Sequence, residues 1–136
     1  MKIFIACSKH FYHKIREIKN NLEQRGHEVA LPNSYDNPFK EEEIKNLSKE
    51  EHIKWKASMM KKDKVSIEPN DAVLVLNFEK NGQPNYIGGA TFLELYKSWE
   101  LNKKIFLFNA IPDCKLKDEI IGMDPTVING DLTKIK

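Results

Sequence analysis

The chain has 136 residues, of which 40% are hydrophobic, a size and composition that predict one domain around a single core. Lysine and arginine total 22 against 20 aspartates and glutamates, and the two signs alternate, so nothing favours binding to nucleic acid. Cys7 and Cys114 lack metal-type spacing, and no signal-peptide pattern or membrane-length apolar run occurs. These features predict a cytoplasmic, soluble protein with no membrane partner.

The first elements follow a strand, helix, strand order. Residues 1–7 are apolar on both faces, as in a parallel strand that helices cover on each side. Residues 10–25 are predicted to form a helix that ends at Gly26, and its apolar positions recur at spacings of four, three and four: Phe11, Ile15, Ile18 and Leu22. A short second strand is predicted at 27–31, where Pro32 ends it.

The middle of the chain begins with a polar loop at residues 32–39, and the whole stretch 32–47 has the length and polarity of a lid. Ser48 and Glu51 form a capping-box pattern, which predicts a helix over residues 48–64 with a solvated charged face. Residues 71–78, DAVLVLNF, contain an unbroken apolar run at 72–76 and are predicted to be a central strand of a parallel sheet.

The last third repeats the alternation after a polar loop at 79–90. Helices are predicted at 91–101 and 115–121, and strands at 104–109 and 126–128. Strands that alternate with helix-length crossovers predict an α/β fold, an open parallel five-stranded sheet in the order 2-1-3-4-5 with helices on both faces. This is the flavodoxin-like or Rossmann-like arrangement, here in one domain over residues 1–136.

In such a sheet, ligands bind at the carboxyl ends of the strands where the strand order reverses, here between the first and third strands. Neither a P-loop nor a G-x-G-x-x-G motif follows the first strand, so ATP hydrolysis and standard dinucleotide binding are not supported. Ser8 and Lys9 lie at this point, where the start of a helix and a lysine could hold one phosphate. The alternative is a serine that only caps the helix.

Glu94, in the stretch NYIGGATFLEL, admits two interpretations. If Thr91 is the N-cap, Thr91 and Glu94 form a capping box that stabilises the helix and does no chemistry. Alternatively, Gly88 and Gly89 let a ligand approach the backbone closely, and Glu94 attacks an anomeric carbon and holds a glycosyl group covalently. The two roles are compatible.

Three stretches, DAVLVLNF, GGATFLEL and KKIFLFN, together resemble the nucleoside 2-deoxyribosyltransferase superfamily, which includes deoxynucleotide N-hydrolases. The resemblance covers roughly residues 1–110 and is most specific at 71–109. It implies cleavage or transfer at the N-glycosidic bond of a 2′-deoxynucleoside or its 5′-monophosphate, with Glu94 as the nucleophile. Many transferases of the family carry an aspartate shortly before that glutamate, and Gly88 takes its place here.

On this interpretation Glu94 is the catalytic residue, and the remaining candidates bind substrate. Gly88, Gly89 and Thr91 would shape the sugar pocket; Ser8 and Lys9 would meet the 5′ end; Asn77, Asn85 and Tyr86 would lie near the base. Asn77 could equally be a structural turn asparagine, and a loop tyrosine such as Tyr86 is often only partly buried packing.

No metal is expected, because no cysteine or carboxylate completes a set with His10 and His13, and no cofactor is expected either. The resemblance implies a homodimer or higher homo-oligomer. Three alternatives stay open: a nucleotide-binding module without catalysis, an NAD-cleaving glycosidase similar to Toll/interleukin-1 receptor domains, and a structural protein in which Glu94 is only a cap.

Overall fold

The sheet is the centre of the molecule, and a computed structural model describes all 136 residues. Its five strands, all paired in parallel, lie in the order β2-β1-β3-β4-β5. The strands are β1 (Lys2–Ala6), β2 (Glu28–Ala30), β3 (Ala72–Val75), β4 (Lys104–Leu107) and β5 (Thr126–Val127). The predicted fold class and strand order are confirmed.

Helices connect successive strands. They are α1 (Ile15–Gln24), preceded by a 3-10 segment (Lys9–Lys14), α2 (Lys40–Leu47), α3 (Lys49–Ile67), α4 (Gly89–Glu100) and α5 (Lys117–Gly122), and a short 3-10 turn (Leu132–Lys134) follows β5. None of these helices combines the length and the apolar character that a membrane span requires.

The core has two layers, because successive strand residues point to opposite faces of the sheet. On one face Ile3 and Ile5 of β1 pack with the buried side of α1 and with the segment after β5. On the other face Phe4 and Ala6 pack with residues of α3, α4 and α5. Helices therefore cover both faces, and α3 and α4 lie together on the second one.

Helix α2 is the main difference from the predicted elements, because the predicted loop covers residues 32–39 and no helix is predicted in the remainder of the possible lid, residues 40–47. The sequence KEEEIKNL buries no residue, so it lacks the apolar stripe by which a helix is recognised. Its first turn contains Glu41, Glu42 and Glu43, and carboxylates at a helix N-terminus are favourable. Helix α2 packs mainly on α3.

Ser48 separates these two helices. Its backbone is extended, with φ −171° and ψ 162°, and its Oγ accepts a hydrogen bond from the Glu51 N–H at 3.0 Å. Ser48 is therefore the N-cap of α3 that the capping-box pattern predicted.

Candidate active site

A cavity of about 700 Å³ opens at the carboxyl ends of β1 and β3, within the size range of pockets that bind small molecules. Its walls come from the turn after β1, from residues 32–41, from α3 and from the start of α4. Seven of the sequence-predicted site residues line it: Ser8, Lys9, Tyr86, Gly88, Gly89, Thr91 and Glu94. The site lies at the predicted reversal of strand order.

Glu94 enters the cavity from the second turn of α4. The helix begins at Gly89 with Gly88 as N-cap, and no side chain caps it. Thr91 is therefore inside the helix, where it is buried with 3% of its surface exposed. The predicted N-cap at Thr91 is wrong, because the helix begins two residues before Thr91, at Gly89, and Gly88 takes the N-cap position. Glu94 forms no capping box.

The surroundings of Glu94 favour its protonated form. Burial raises the pKa of its carboxyl well above the ordinary value, and the charge of Asp63 raises it further. Lys56 opposes both effects and lowers the pKa. A carboxyl held in this way, in a cavity, is a frequent sign of a functional group.

Asp63 is a second carboxyl on the cavity wall, and it was not predicted. It lies on α3 with 9% of its surface exposed, and burial raises its pKa to about 6 against the opposing charges of Lys97 and Lys56. The charged side of this helix was interpreted as solvated, which is wrong for Asp63. The sequence does indicate that Asp63 faces inward, because Met59, Asp63 and the buried Ile67 are spaced four residues apart and therefore lie on one side of the helix.

Cys7 and Tyr12 add a thiol and a phenol to the cavity that Glu94 lines. Burial raises the pKa of both groups, and the charge of Glu94 adds to the effect, so both keep their protons. The Tyr12 ring packs against Tyr35 with centroids 5.5 Å apart. These side chains can therefore donate hydrogen bonds inside the cavity.

Tyr86 and the two glycines form the edge of the cavity next to α4. The Tyr86 N–H donates to the Phe78 carbonyl at 2.8 Å, which ties the loop to the end of β3. Its hydroxyl lies 3.1 Å from the place that a Cβ on Gly88 would occupy, whereas a Cβ on Gly89 would meet nothing. A side chain at Gly88 would therefore need the Tyr86 hydroxyl to move, whereas Gly89 leaves the backbone open to the cavity.

The rim opposite is held by ion pairs from the first turn of α2. Glu41 accepts from His52 Nε2 at 2.9 Å and lies 3.2 Å from Lys56 Nζ. Burial alone would raise the pKa of Glu41, but the hydrogen bonds from His52 and Lys56 outweigh it and lower the pKa. Glu42 pairs with Lys9. The predicted lid stretch therefore contacts the cavity through Glu41 and the loop before α2.

Ser8 and Lys9 are at the cavity, but each already has a partner. Ser8 Oγ accepts a hydrogen bond from the His10 N–H at 3.4 Å. Ser8 therefore caps the 3-10 segment, as the alternative interpretation of this serine expects. Lys9 pairs with Glu42 and lies 5.7 Å from the centre of the Phe39 ring.

Asn77 and Asn85 do not line the cavity. Asn77 is fully buried, and its Nδ2 donates to the carbonyls of Asn109 and Ala110 at 3.1 and 2.9 Å. Its Oδ1 accepts from the Asn109 N–H at 2.8 Å. The amide is fully used in joining the ends of β3 and β4. Asn85 has φ 57°, a left-handed conformation that asparagine tolerates in a turn.

No group of three or more His, Cys, Asp or Glu side chains is arranged to hold a metal ion. No protein-family model matches the sequence, and no curated protein matches it at a significant level. The chemistry must therefore be argued from the cavity itself: two carboxyls with raised pKa values, protonated donors beside one of them, and an apolar wall that includes Trp55 and Phe92.

Proposed function

We propose that the protein cleaves or transfers at the N-glycosidic bond of a 2′-deoxynucleoside or its 5′-monophosphate. The observation that carries the proposal is the position of Glu94 in a nucleoside-sized cavity with a second carboxyl, Asp63, close enough for their charges to interact. Enzymes that cleave a glycosidic bond with retention of configuration usually use two carboxyl groups, one on each side of that bond. The resemblance to the nucleoside 2-deoxyribosyltransferase superfamily points to the same reaction.

In the first step the coupled Glu94–Asp63 pair holds one proton, which is on Asp63, and Glu94 attacks C1′ of the deoxyribose as a carboxylate. A bond forms between a carboxylate oxygen and C1′, the C1′–N bond breaks, and its electron pair leaves with the base, which takes up a proton. In that state the Asp63 carboxyl, which lines the same cavity, supplies the proton. The product is a free base and a deoxyribosyl ester of Glu94.

In the second step the ester is resolved. Water attacks C1′ and yields free deoxyribose, or a ring nitrogen of a second base attacks and yields a new nucleoside. In either case the attacking group loses a proton, which the carboxylate of Asp63 can accept, and Glu94 is regenerated as a carboxylate.

The apolar wall supports a nucleoside as the substrate. Trp55 and Met59 of α3 and Phe92 of α4 line the cavity together with Glu94. Aromatic and methionine side chains present polarizable surface on which a planar base can stack. Gly89 at the start of α4 presents no side chain to the cavity, and the space beside it is open to a sugar.

The test is chromatography of free bases released from nucleosides, 2′-deoxynucleosides, their 5′-monophosphates and NAD. Glu94→Gln should reduce release by about a thousandfold or more, because the amide cannot act as the nucleophile. Glu100→Gln is the matched control on the same helix: Glu100 is exposed, pairs with Lys97, and should be dispensable. Circular dichroism checks that both variants are folded.

A covalent intermediate gives an independent readout. Brief incubation with a slowly resolved 2′-deoxynucleoside analogue should add one glycosyl group to the intact mass of the wild type and none to Glu94→Gln. Full release of base by Glu94→Gln would refute the assignment, and nicotinamide release without nucleoside cleavage would identify an NAD glycosidase.

A binding module without catalysis is the second candidate, and the raised pKa of Glu94 favours it. A raised pKa favours the protonated carboxyl, which is a poor nucleophile but a good hydrogen-bond donor. A thermal shift with nucleosides or nucleotides, without release of base from any of them, would identify this function.

A further inference from the structure

Each basic side chain that lines the cavity is either paired with a carboxylate or uncharged. Lys9 pairs with Glu42, and Lys56 Nζ lies 3.2 Å from Glu41 Oε2 and 3.4 Å from its Oε1. The remaining basic residue is His10, whose pKa is lowered by desolvation and by the nearby lysines, so it is uncharged at neutral pH. A negatively charged ligand finds no free cation on these walls.

The carboxyls that surround the cavity outnumber these cations. Glu41, Asp63 and Glu94 line it directly, and Glu42 stands beside Lys9. Even with Glu94 protonated, two lysines face three ionisable carboxyls. The side chains of the cavity therefore carry a neutral to negative total charge.

Both partner carboxylates come from one short element, the first turn of α2. No residue of this helix is buried, so hydrophobic burial contributes little to its position, and its acidic first turn reaches two separate walls of the cavity. Glu41 reaches α3, and Glu42 reaches the turn after β1. Helix α2 thus occupies both lysines at once.

We propose that Glu41 and Glu42 determine substrate specificity, and that they make the cavity select an uncharged nucleoside over its 5′-monophosphate. The inference rests on the proposed function, because it chooses between the two substrate classes of the same site. A phosphate that reached Lys9 or Lys56 would displace a carboxylate, and the displaced carboxylate would stay nearby as a like charge. An uncharged 5′-hydroxyl meets no such repulsion.

The test compares kcat/KM for a 2′-deoxynucleoside and its own 5′-monophosphate, in the wild type and in the double variant Glu41→Gln/Glu42→Gln. The wild type should prefer the nucleoside by about tenfold or more, since one like charge at close range costs about that factor. The double variant frees both lysines, so the preference should shrink by about tenfold, chiefly through faster use of the monophosphate. Glutamine keeps the length of each side chain.

Glu43→Gln is the matched control. Glu43 lies on the same turn, its side chain is 62% exposed, and its nearest cation is Lys40 at 4.0 Å rather than a lysine of the cavity. It removes the same charge from the same helix and should leave the substrate ratio unchanged. A wild type that prefers the monophosphate, or a double variant whose ratio equals that of the wild type, would overturn the proposal.

Binding separates this inference from the reaction. Calorimetric titration of Glu94→Gln with nucleoside and with monophosphate gives the preference without turnover. Preferential binding of the nucleoside without base release by the wild type would refute the proposed reaction and support the proposed specificity. Base release by the wild type without any preference in binding would support the reaction and refute the specificity. Binding of neither ligand would overturn both. If the double variant fails to fold, Glu42→Gln alone serves, because Glu42 is exposed at the surface.

Discussion

Replacement of Asn77 by alanine should destabilise the fold severely, although the residue lies outside the cavity. The buried amide makes three hydrogen bonds to the backbone of Asn109 and Ala110, at 3.1, 2.9 and 2.8 Å. At a net value of about 1 kcal/mol for each bond, the loss is about 3 kcal/mol. That is a large part of the total of about 5–15 kcal/mol that stabilises an ordinary domain.

Urea denaturation followed by circular dichroism measures this change as a lower midpoint with an unchanged slope. Asn20→Ala is the control: Asn20 is exposed on α1 and makes no side-chain hydrogen bond, so alanine there should be neutral or slightly stabilising. A loss below about 1 kcal/mol in Asn77→Ala would refute the reasoning, because it would mean that water replaces the amide without cost.

Three further outcomes are expected. Ser48→Ala should cost about 1 kcal/mol in urea denaturation, because α3 loses the side chain that caps it; an unchanged midpoint would contradict this role. Folding raises the pKa of Asp63 from 3.8 to about 6, so the wild type loses stability as pH rises through that interval. Asp63→Asn should therefore have a higher unfolding temperature than the wild type at pH 7 and the same unfolding temperature below about pH 4. A difference in unfolding temperature that does not change with pH would show that the titration of Asp63 is not its cause. Lys56 lowers the pKa of Glu94, so Lys56→Met should move the acid limb of the pH–rate profile for base release to higher pH; a limb that stays in place would show that Lys56 does not act on the nucleophile.

The fold was predictable because its signals are local and repeated. Residues 72–76 are apolar without a break, a run that is typical of a strand covered on both faces, and their side chains divide between the two core layers. The alternation of strands with helices then allowed very few topologies, and the order 2-1-3-4-5 followed. Helix α2 was missed for the opposite reason, since nothing in it is buried.

The candidate site was only partly predictable. Glu94 and the glycines before it stand together in the sequence, so their common position could be inferred. Asp63 comes from another helix, 31 positions earlier, and only the packing of α3 on α4 brings it to the same cavity. Asn77 was placed at the correct end of β3, but the direction of a side chain at a strand end depends on the neighbouring strand.

The contact between Tyr86 and Gly88 restricts how this cavity can change by mutation. Gly88 has φ −82°, which any residue can adopt, so only the Tyr86 hydroxyl at 3.1 Å stands against a side chain there. The Tyr86 ring is itself packed edge-on to Phe11 with centroids 6.5 Å apart, and Lys80 lies over it. A side chain at Gly88 is therefore disfavoured as a first substitution.

Tyr86→Phe removes the hydroxyl, and the nearest ring carbons then lie 3.4 and 3.5 Å from the new Cβ, which is ordinary contact. The two positions are thus epistatic: the path through phenylalanine at 86 is open, and the direct path is strained. A lineage that carries Tyr86 therefore accepts a side chain at position 88 only if the tyrosine shifts to make room, whatever selection acts on the substrate.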